Sequence, residues 1–324
     1  MVLVEQQKII LLFGMPRSGT TWIGKLFDSH KDTYYLHEPD SVAPNFDIPL
    51  LVNDKSPSKE LLAEEIKKWL KLKDEKVIAA RPFFKKSYLS SFQFQIFLAS
   101  AYISKISARF KLPVLNKPIR IQSQPPVTVW KSIESLGRMS VIQALTDAYT
   151  VHILRHPCGH IASTLRGEKQ HKFDSSTPIY DDWDLFDKLI KQSGEIRFTL
   201  DDVKNMPAEV RLAFRWGLIN DSALLNEGKE SNIKSTVLIY EDLCREPESK
   251  IKEIFEKVGL LYNKETQDFL KESIGSEDES YYATKKTPLV AAYKWREELT
   301  PEQQNNVHEM VKHFKSGEFY LNDF

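Results

Sequence analysis

Residues 8–22 read KIILLFGMPRSGTTW, and this stretch constrains the fold more than any other part of the chain. Ile9, Ile10, Leu11, Leu12 and Phe13 form a short apolar run that ends at a glycine. Such a run predicts a strand over 8–13 buried on both faces. Beyond it the period changes. Trp22, Ile23, Leu26 and Phe27 recur at helical spacing and predict a helix over 19–29. Between strand and helix, Gly14 and Gly19 match the glycine spacing of a phosphate-binding P-loop. Glycines there let the backbone curl so that its N–H groups point at an anion, and the helix N-terminus adds partial positive charge. Ser18, Thr20 and Thr21 offer hydroxyl donors, and Arg17 a fixed cation. The plain alternative is a strand–turn–helix with a capping Ser or Thr. The placement between a buried strand and a helix favours the anion site.

The rest of the chain alternates in the same way. Short β-rich runs predict strands over 33–36, 127–131, 150–154 and 235–240. Helical spacing covers 58–72, 90–110, 134–146, 159–166, 208–227 and 248–258, while the proline-bearing 40–58 reads as a long loop. Alternating strands and helices imply an α/β, three-layer sandwich with a P-loop and a central, mostly parallel sheet flanked by helices. Right-handed crossovers then set the strand C-terminal ends, and the site, on one edge. With no internal repeat and no low-complexity linker, the 324 residues are expected to form a single domain over 1–324.

Composition narrows the function classes. Lys plus Arg and Asp plus Glu both number 45, which argues against nucleic acid as a partner yet leaves room for a local basic pocket. Cys158 and Cys244 fit no metal motif and no disulfide framework, so they read as small buried hydrophobes in a chain that tolerates a reducing compartment. The run at 8–13 is too short for a signal-peptide core or a membrane span, and no other stretch approaches span length. If the chain is full length, a cytoplasmic location is expected. The P-loop lysine is replaced by Thr20, and the strand at 150–154 runs into Arg155 rather than a magnesium-binding aspartate. A P-loop kinase would need both missing groups. A nucleotide-binding module without catalysis is the non-enzyme alternative.

Four stretches, in order along the chain, resemble the PAPS-dependent sulfotransferase family (PAPS is 3′-phosphoadenosine 5′-phosphosulfate). Pro16-Arg17-Ser18-Gly19-Thr20-Thr21-Trp22 resembles the family's 5′-phosphosulfate loop. Ile153-Leu154-Arg155-His156-Pro157 with Ser163 resembles its 3′-phosphate segment, where a strand-end Arg and a Ser eight residues on reach one phosphate. Tyr240-Glu241-Asp242-Leu243 with Pro247 looks like its late strand and turn, and Lys294-Trp295-Arg296 with Leu299 like its C-terminal ending. The style is closest to the bacterial, carbohydrate and tyrosylprotein branches. Arg17 stands where the hormone-type branch usually has Lys, and His156 replaces the commoner Asp. In place of a clean R-K-G triplet, Thr284-Lys285-Lys286 is assigned to close over the 3′-phosphate, against the reading of Lys285 and Lys286 as a solvated pair.

The resemblance implies an enzyme that moves a sulfuryl group from PAPS, releasing PAP, to an acceptor hydroxyl or amine. The sulfuryl group carries less charge than a phosphoryl group, so side-chain cations and N–H groups can serve without a metal. Transfer needs a base within reach of the acceptor. Glu38, in Tyr35-Leu36-His37-Glu38-Pro39, resembles the base glutamate that two branches carry after the first helix; His37 and Glu134 are the rivals. Lys131 is assigned to the leaving phosphate, with Lys117 as the alternative. The expected catalytic set is therefore Glu38, Lys131 and Arg17. The expected cofactor set is Arg17, Ser18, Gly19, Thr20, Thr21, Trp22, Arg155, Ser163, Tyr240, Lys285 and Lys286, with Trp22 or Tyr240 stacking on adenine. A helical insert over about 58–110 is expected to shape the pocket for a small-molecule or glycan acceptor, a carbohydrate being the leading expectation.

Overall fold

A computed structural model describes residues 8–53, 55–110, 126–170, 172, 177–224, 234–275 and 288–324. Its frame is a sheet of five parallel strands: β1 (Lys8–Gly14), β2 (Thr33–His37), β3 (Val127–Ser132), β4 (Tyr149–Leu154) and β5 (Ser235–Ile239), in the order β2-β3-β1-β4-β5. β1 lies in the middle because it is apolar on both sides. Ile9, Leu11 and Phe13 enter one core, and Ile10 and Leu12 enter the other. A strand alternates its side chains between faces, so a run apolar throughout can be satisfied only under two layers.

The helices supply those layers. In chain order they begin with α1 (Thr20–Ser29), α2 (Pro39–Val42), α3 (Lys59–Lys71), α4 (Glu75–Ile78), α5 (Ser91–Arg109), α6 (Met139–Thr146) and α7 (Pro157–Lys169). They continue with α8 (Trp183–Ser193), α9 (Leu200–Lys204), α10 (Ala208–Leu224), α11 (Tyr240–Arg245), α12 (Pro247–Lys257) and α13 (Lys264–Ile274). The last are α14 (Pro288–Tyr293), α15 (Trp295–Glu298) and α16 (Pro301–Val311). Ile23, Leu26 and Phe27 of α1 join Phe255 and Phe269 on one face; Val141, Ile161, Trp216 and Val311 fill the other. Trp130 is fully buried in that second core between Phe13 and Trp69, at ring separations of 5.2 and 5.7 Å. Burying each such side chain contributes about 1.5–3 kcal/mol.

The strand order positions the site. From β1 the chain leaves through α1 toward β2 at one edge, whereas from β4 it leaves toward β5 at the other. Connections that depart in opposite directions open a crevice outside the C-terminal ends of β1 and β4, where ligands bind in open α/β sheets. Gly14 and Ile153 are register partners there. A Cβ on Gly14 would lie 2.7 Å from the Ile153 carbonyl oxygen, so only glycine lets the loop leave the strand at this point.

Several boundaries differ from the sequence reading. Residues 40–58 open with the short α2, whose first residue is the φ-restricted Pro39. The segment 134–146 splits into a 3₁₀ turn, Leu136–Arg138, and α6. Tyr240 starts α11 instead of ending β5. The helices at α8, α13 and α16 carried start signals that went unused. Asp182, Asn263 and Thr300 each accept a hydrogen bond from the third residue onward, and Thr300 with Gln303 completes a capping box ahead of Pro301. Both cysteines are buried and unpaired, and burial pushes their thiols up, which keeps them inert. Among the described residues no helix is long and apolar enough to cross a membrane.

Candidate active site

Two residues of the loop take left-handed backbone conformations, Arg17 at φ 71° and Gly19 at φ 80°. They turn the chain sharply enough for Ser18 N–H to close on the Met15 carbonyl at 3.2 Å and for α1 to start at Thr20. Ser18 and Thr20 are buried within the turn, while Thr21 is exposed. A Cβ on Gly19 would fall inside the Tyr240 ring. Gly19→Ala therefore meets a clash and a strained φ together. It is expected to cost about 1–3 kcal/mol, lowering Tm in scanning fluorimetry by a few degrees.

One side of the crevice is built on arginines. Arg155 leaves the end of β4, 8 % exposed; its Nη1 donates to the Arg17 carbonyl (2.6 Å), its Nη2 to the Ala291 carbonyl (3.1 Å), and its guanidinium lies 4.9 Å over the Tyr240 ring. Its Nε is buried with no acceptor among the described residues. Arg17 Nε donates to Ser163 Oγ at 3.1 Å. The loop, the β4 end and α7 thus meet around three residues that the sequence assigned to two separate phosphate positions. His156 caps α7: its Nδ1 accepts from Cys158 N–H at 3.2 Å, the service an Asp performs at a helix N-cap. Its ring stacks on Trp295 at 4.4 Å, and burial holds its pKa down at about 3, so it is neutral. Glu241 accepts from the His156 N–H and the Tyr320 hydroxyl, both at 3.1 Å, which ties the late turn to the β4 end.

The opposite side is built on the paired ends of β2 and β3, where His37 and Lys131 are register partners. The next residue, Glu38, adopts φ 50°, ψ 52° as the N-cap of α2, and its N–H donates to the Lys131 carbonyl at 2.9 Å. That left-handed turn swings the carboxylate into an ion pair with Lys131 Nζ. Lys131 is 1 % exposed; burial pulls its pKa down, Glu38 pulls it back, and the net direction is down. His37 hydrogen-bonds through Nδ1 to the Tyr35 hydroxyl at 2.9 Å, and its Nε2 stands 3.9 Å from Glu38. Burial, then the Lys131 charge, lower its pKa to about 4, leaving a neutral ring at physiological pH.

Asp40 went unread in the sequence and supports both groups. Buried under α2, it accepts from the hydroxyls of Ser132 and Ser135 (the latter at 2.5 Å) and from Trp130 Nε1 at 3.4 Å. It joins the turn bearing Glu38 to the strand end bearing Lys131. Asp40→Asn keeps the shape and breaks this acceptor pattern. A loss of about 10- to 100-fold in kcat is expected, with PAP affinity unchanged, because small misplacements of reacting groups are costly. Steady-state kinetics beside PAP calorimetry check it. The only signal in the sequence was a carboxylate two residues beyond the candidate base.

Trp22 and Tyr240, the two candidates for stacking, are each 8 % exposed. Trp22 donates its indole N–H to Ser273 Oγ at 3.0 Å, and Tyr240 backs the loop, so both are core residues in this conformation. Glu134 is exposed on the turn after β3. Lys117, Lys285 and Lys286 lie outside the described residues. Arg166, unassigned in the sequence, pairs with Glu298 and reaches Ser163 Oγ at 3.4 Å; its spacing of three from Ser163 on α7 was the available clue.

The fold and loop define the class: an α/β protein of P-loop type with Arg17 and Arg155 beyond the C-terminal ends of β1 and β4 and a lysine–glutamate pair at the ends of β3 and β2. The sulfotransferase family model matches residues 10–193, more than half of the 324-residue chain, and the chain belongs to that family. The protein is a sulfotransferase. No curated protein sequence matches it significantly. Among solved structures it is similar to the sulfotransferase domain of the curacin biosynthetic pathway and that of the Synechococcus PCC 7002 olefin synthase. Each shows 14% identity and a TM-score of 0.48, over 95% of this chain and 98% or 96% of the other. It is also similar to mouse sulfotransferase SULT7A1 complexed with PAP, at 12% identity and a TM-score of 0.44, over 98% and 89% of the two chains.

Proposed function

We propose that this sulfotransferase takes the sulfuryl group from PAPS and passes it to a hydroxyl or amine of a carbohydrate or glycan, with Glu38 as base and no required metal. The observation that carries the reading is the arrangement across the crevice. A buried lysine and a carboxylate meet at the β2–β3 ends, and Arg17, Arg155 and Ser163 converge beside the loop. The residues fit the donor's charges. Arg155 Nε is buried with no acceptor among the described residues where the 3′-phosphate is expected, and the loop turns through the left-handed Arg17 and Gly19 where the 5′ end is expected.

When bound, PAPS supplies an activated sulfuryl group. The protein's part is positioning and charge. Arg155 and Ser163 fix the nucleotide and so the reacting sulfur. Arg17 and the loop N–H groups face the charge that develops on the leaving phosphate, as does Lys131. Glu38 accepts the acceptor's proton, and Lys131 is placed to pass from Glu38 to the leaving oxygen as the nucleophile is deprotonated. Tyr35 holds His37 Nδ1, which supports a positioning role for that histidine over a rival base. A carbohydrate acceptor is supported by the glutamate and loop arginine, a combination that the tyrosylprotein branch shares, so tyrosine peptides are the rival acceptors. The two buried thiols agree with a cytoplasmic location.

The test is transfer of labelled sulfate from PAPS to a panel of oligosaccharides, phenols and tyrosine peptides in the presence of a chelator. Chelator-resistant labelling of the saccharides is expected. Labelling confined to peptides or phenols would overturn the acceptor class alone, and loss with the chelator would overturn the metal-free reading.

A further inference from the structure

Arg215 lies on α10, 8 % exposed, and neither a hydrogen bond nor an ion pair joins it to any described residue. Its Nε is fully enclosed without an acceptor among the described residues. A buried guanidinium without a counter-charge is costly, because the charge gives up its water and gains no partner. Packing alone gives no reason to place one here, since a methionine would fill the volume.

The helix that carries it runs along the site. Trp216, the next residue, donates to the Arg155 carbonyl at 3.2 Å. Asn220 reaches Met15 Sδ in the loop at 3.3 Å, and Ser222 the Gly137 carbonyl at 3.2 Å in the turn that follows Lys131. One turn earlier, Arg211 is already committed, at 2.7 Å to Asp181 and over the Trp183 ring. The charges that act on Arg215 come from both walls. Glu134 and Asp182 attract it without reaching ion-pair distance, and Asp182 is occupied in capping α8 at 3.0 Å. His160, fully buried against Pro16, is held neutral by burial and by Arg215, Arg155 and Arg17. Arg215 is therefore within electrostatic reach of His160, which lies against Pro16 of the loop, and of Glu134 in the turn after Lys131.

We propose that Arg215 is an oxyanion-binding residue of this site, its guanidinium receiving a sulfate, phosphate or carboxylate group of a ligand seated between the loop and α10. The proposal rests on the PAPS reading above. Two sources carry that chemistry, the sulfuryl end of the donor and an acidic group on the acceptor, and an acidic saccharide would meet the second. A planar fork suits either, because it binds two oxygens of one oxyanion at once.

Calorimetry on wild type, Arg215→Met and Arg215→Lys separates the sources. The titrants are PAP, PAPS, and inorganic sulfate added to enzyme saturated with PAPS. If the donor is the ligand, both variants lose about tenfold or more of the PAPS-over-PAP preference while PAP binding stays unchanged. If an acceptor acid is the ligand, PAP and PAPS bind as in wild type, and sulfate binding to the PAPS-loaded enzyme weakens about tenfold or more. Equal effects on PAP and PAPS, or no effect on any of the three, overturn the proposal in favour of a structural arginine. Should Arg215→Met fail to fold, Arg215→Lys carries the same comparison with the charge kept and the fork lost. Wild type that binds no PAP would instead sink the underlying reading.

Discussion

Glu38→Gln is expected to lower kcat by about 10²- to 10⁴-fold while leaving PAP affinity close to wild type. Glutamine keeps the side chain's size and its left-handed turn but cannot take a proton at neutral pH. The loss should appear as a fall in kcat rather than a rise in KM for PAPS, because the carboxylate acts on the acceptor and not on the nucleotide. The substitution also leaves Lys131 buried without its partner. Lys131 can shed its proton in response, the direction in which burial already pulls it. A thermal scan belongs beside the kinetics, to separate lost chemistry from lost fold. His37→Gln is the control: if the histidine only supports the turn, kcat changes by no more than about threefold. A near-normal Glu38→Gln enzyme with a dead His37→Gln enzyme would reverse the assignment.

Arg155→Ala is expected to weaken PAP binding by about 30- to 5,000-fold, the range that follows from about 2–5 kcal/mol for truncating a buried charge partner. Arg155 does more than meet a phosphate. It holds the Arg17 carbonyl at 2.6 Å and the Ala291 carbonyl at 3.1 Å, so the loop and α14 lose a common anchor when it goes. Arg155→Lys keeps the charge and loses the fork. An intermediate affinity for that variant would indicate that charge and geometry both count. Unchanged PAP binding in Arg155→Ala would remove the 3′-phosphate from the β4 end.

How far the sequence carried is best judged at particular residues. The loop was legible because its chemistry is local: a buried strand, two glycines and a helix start lie within residues 8–22, and the backbone they dictate is the one observed. The parallel sheet followed from the same logic, each strand being an apolar run whose helices were spaced to cover it. Asp40 was not legible. Its value comes from Trp130, Ser132 and Ser135, about ninety residues away in sequence, and no local pattern announces such a clamp. Arg215 was hidden in the same way, since an arginine in a helix reads as a solvated face until its burial is known. The surroundings of Trp22 were hidden as well: its indole N–H donates to Ser273 on α13, 251 residues away in sequence. Helix starts at Asp182, Asn263 and Thr300 are carried by the capping residues rather than by hydrophobic period, which is hard to read over helices of eleven residues.

The most direct test of the account is calorimetric titration of the wild-type protein with PAP, and separately with ADP, in buffer free of divalent metal and then with magnesium. Micromolar PAP binding that magnesium leaves unchanged is expected, with ADP weaker by about a hundredfold for want of the 3′-phosphate proposed to meet Arg155 and Ser163. Absent PAP binding, together with magnesium-dependent binding of ADP, would contradict it.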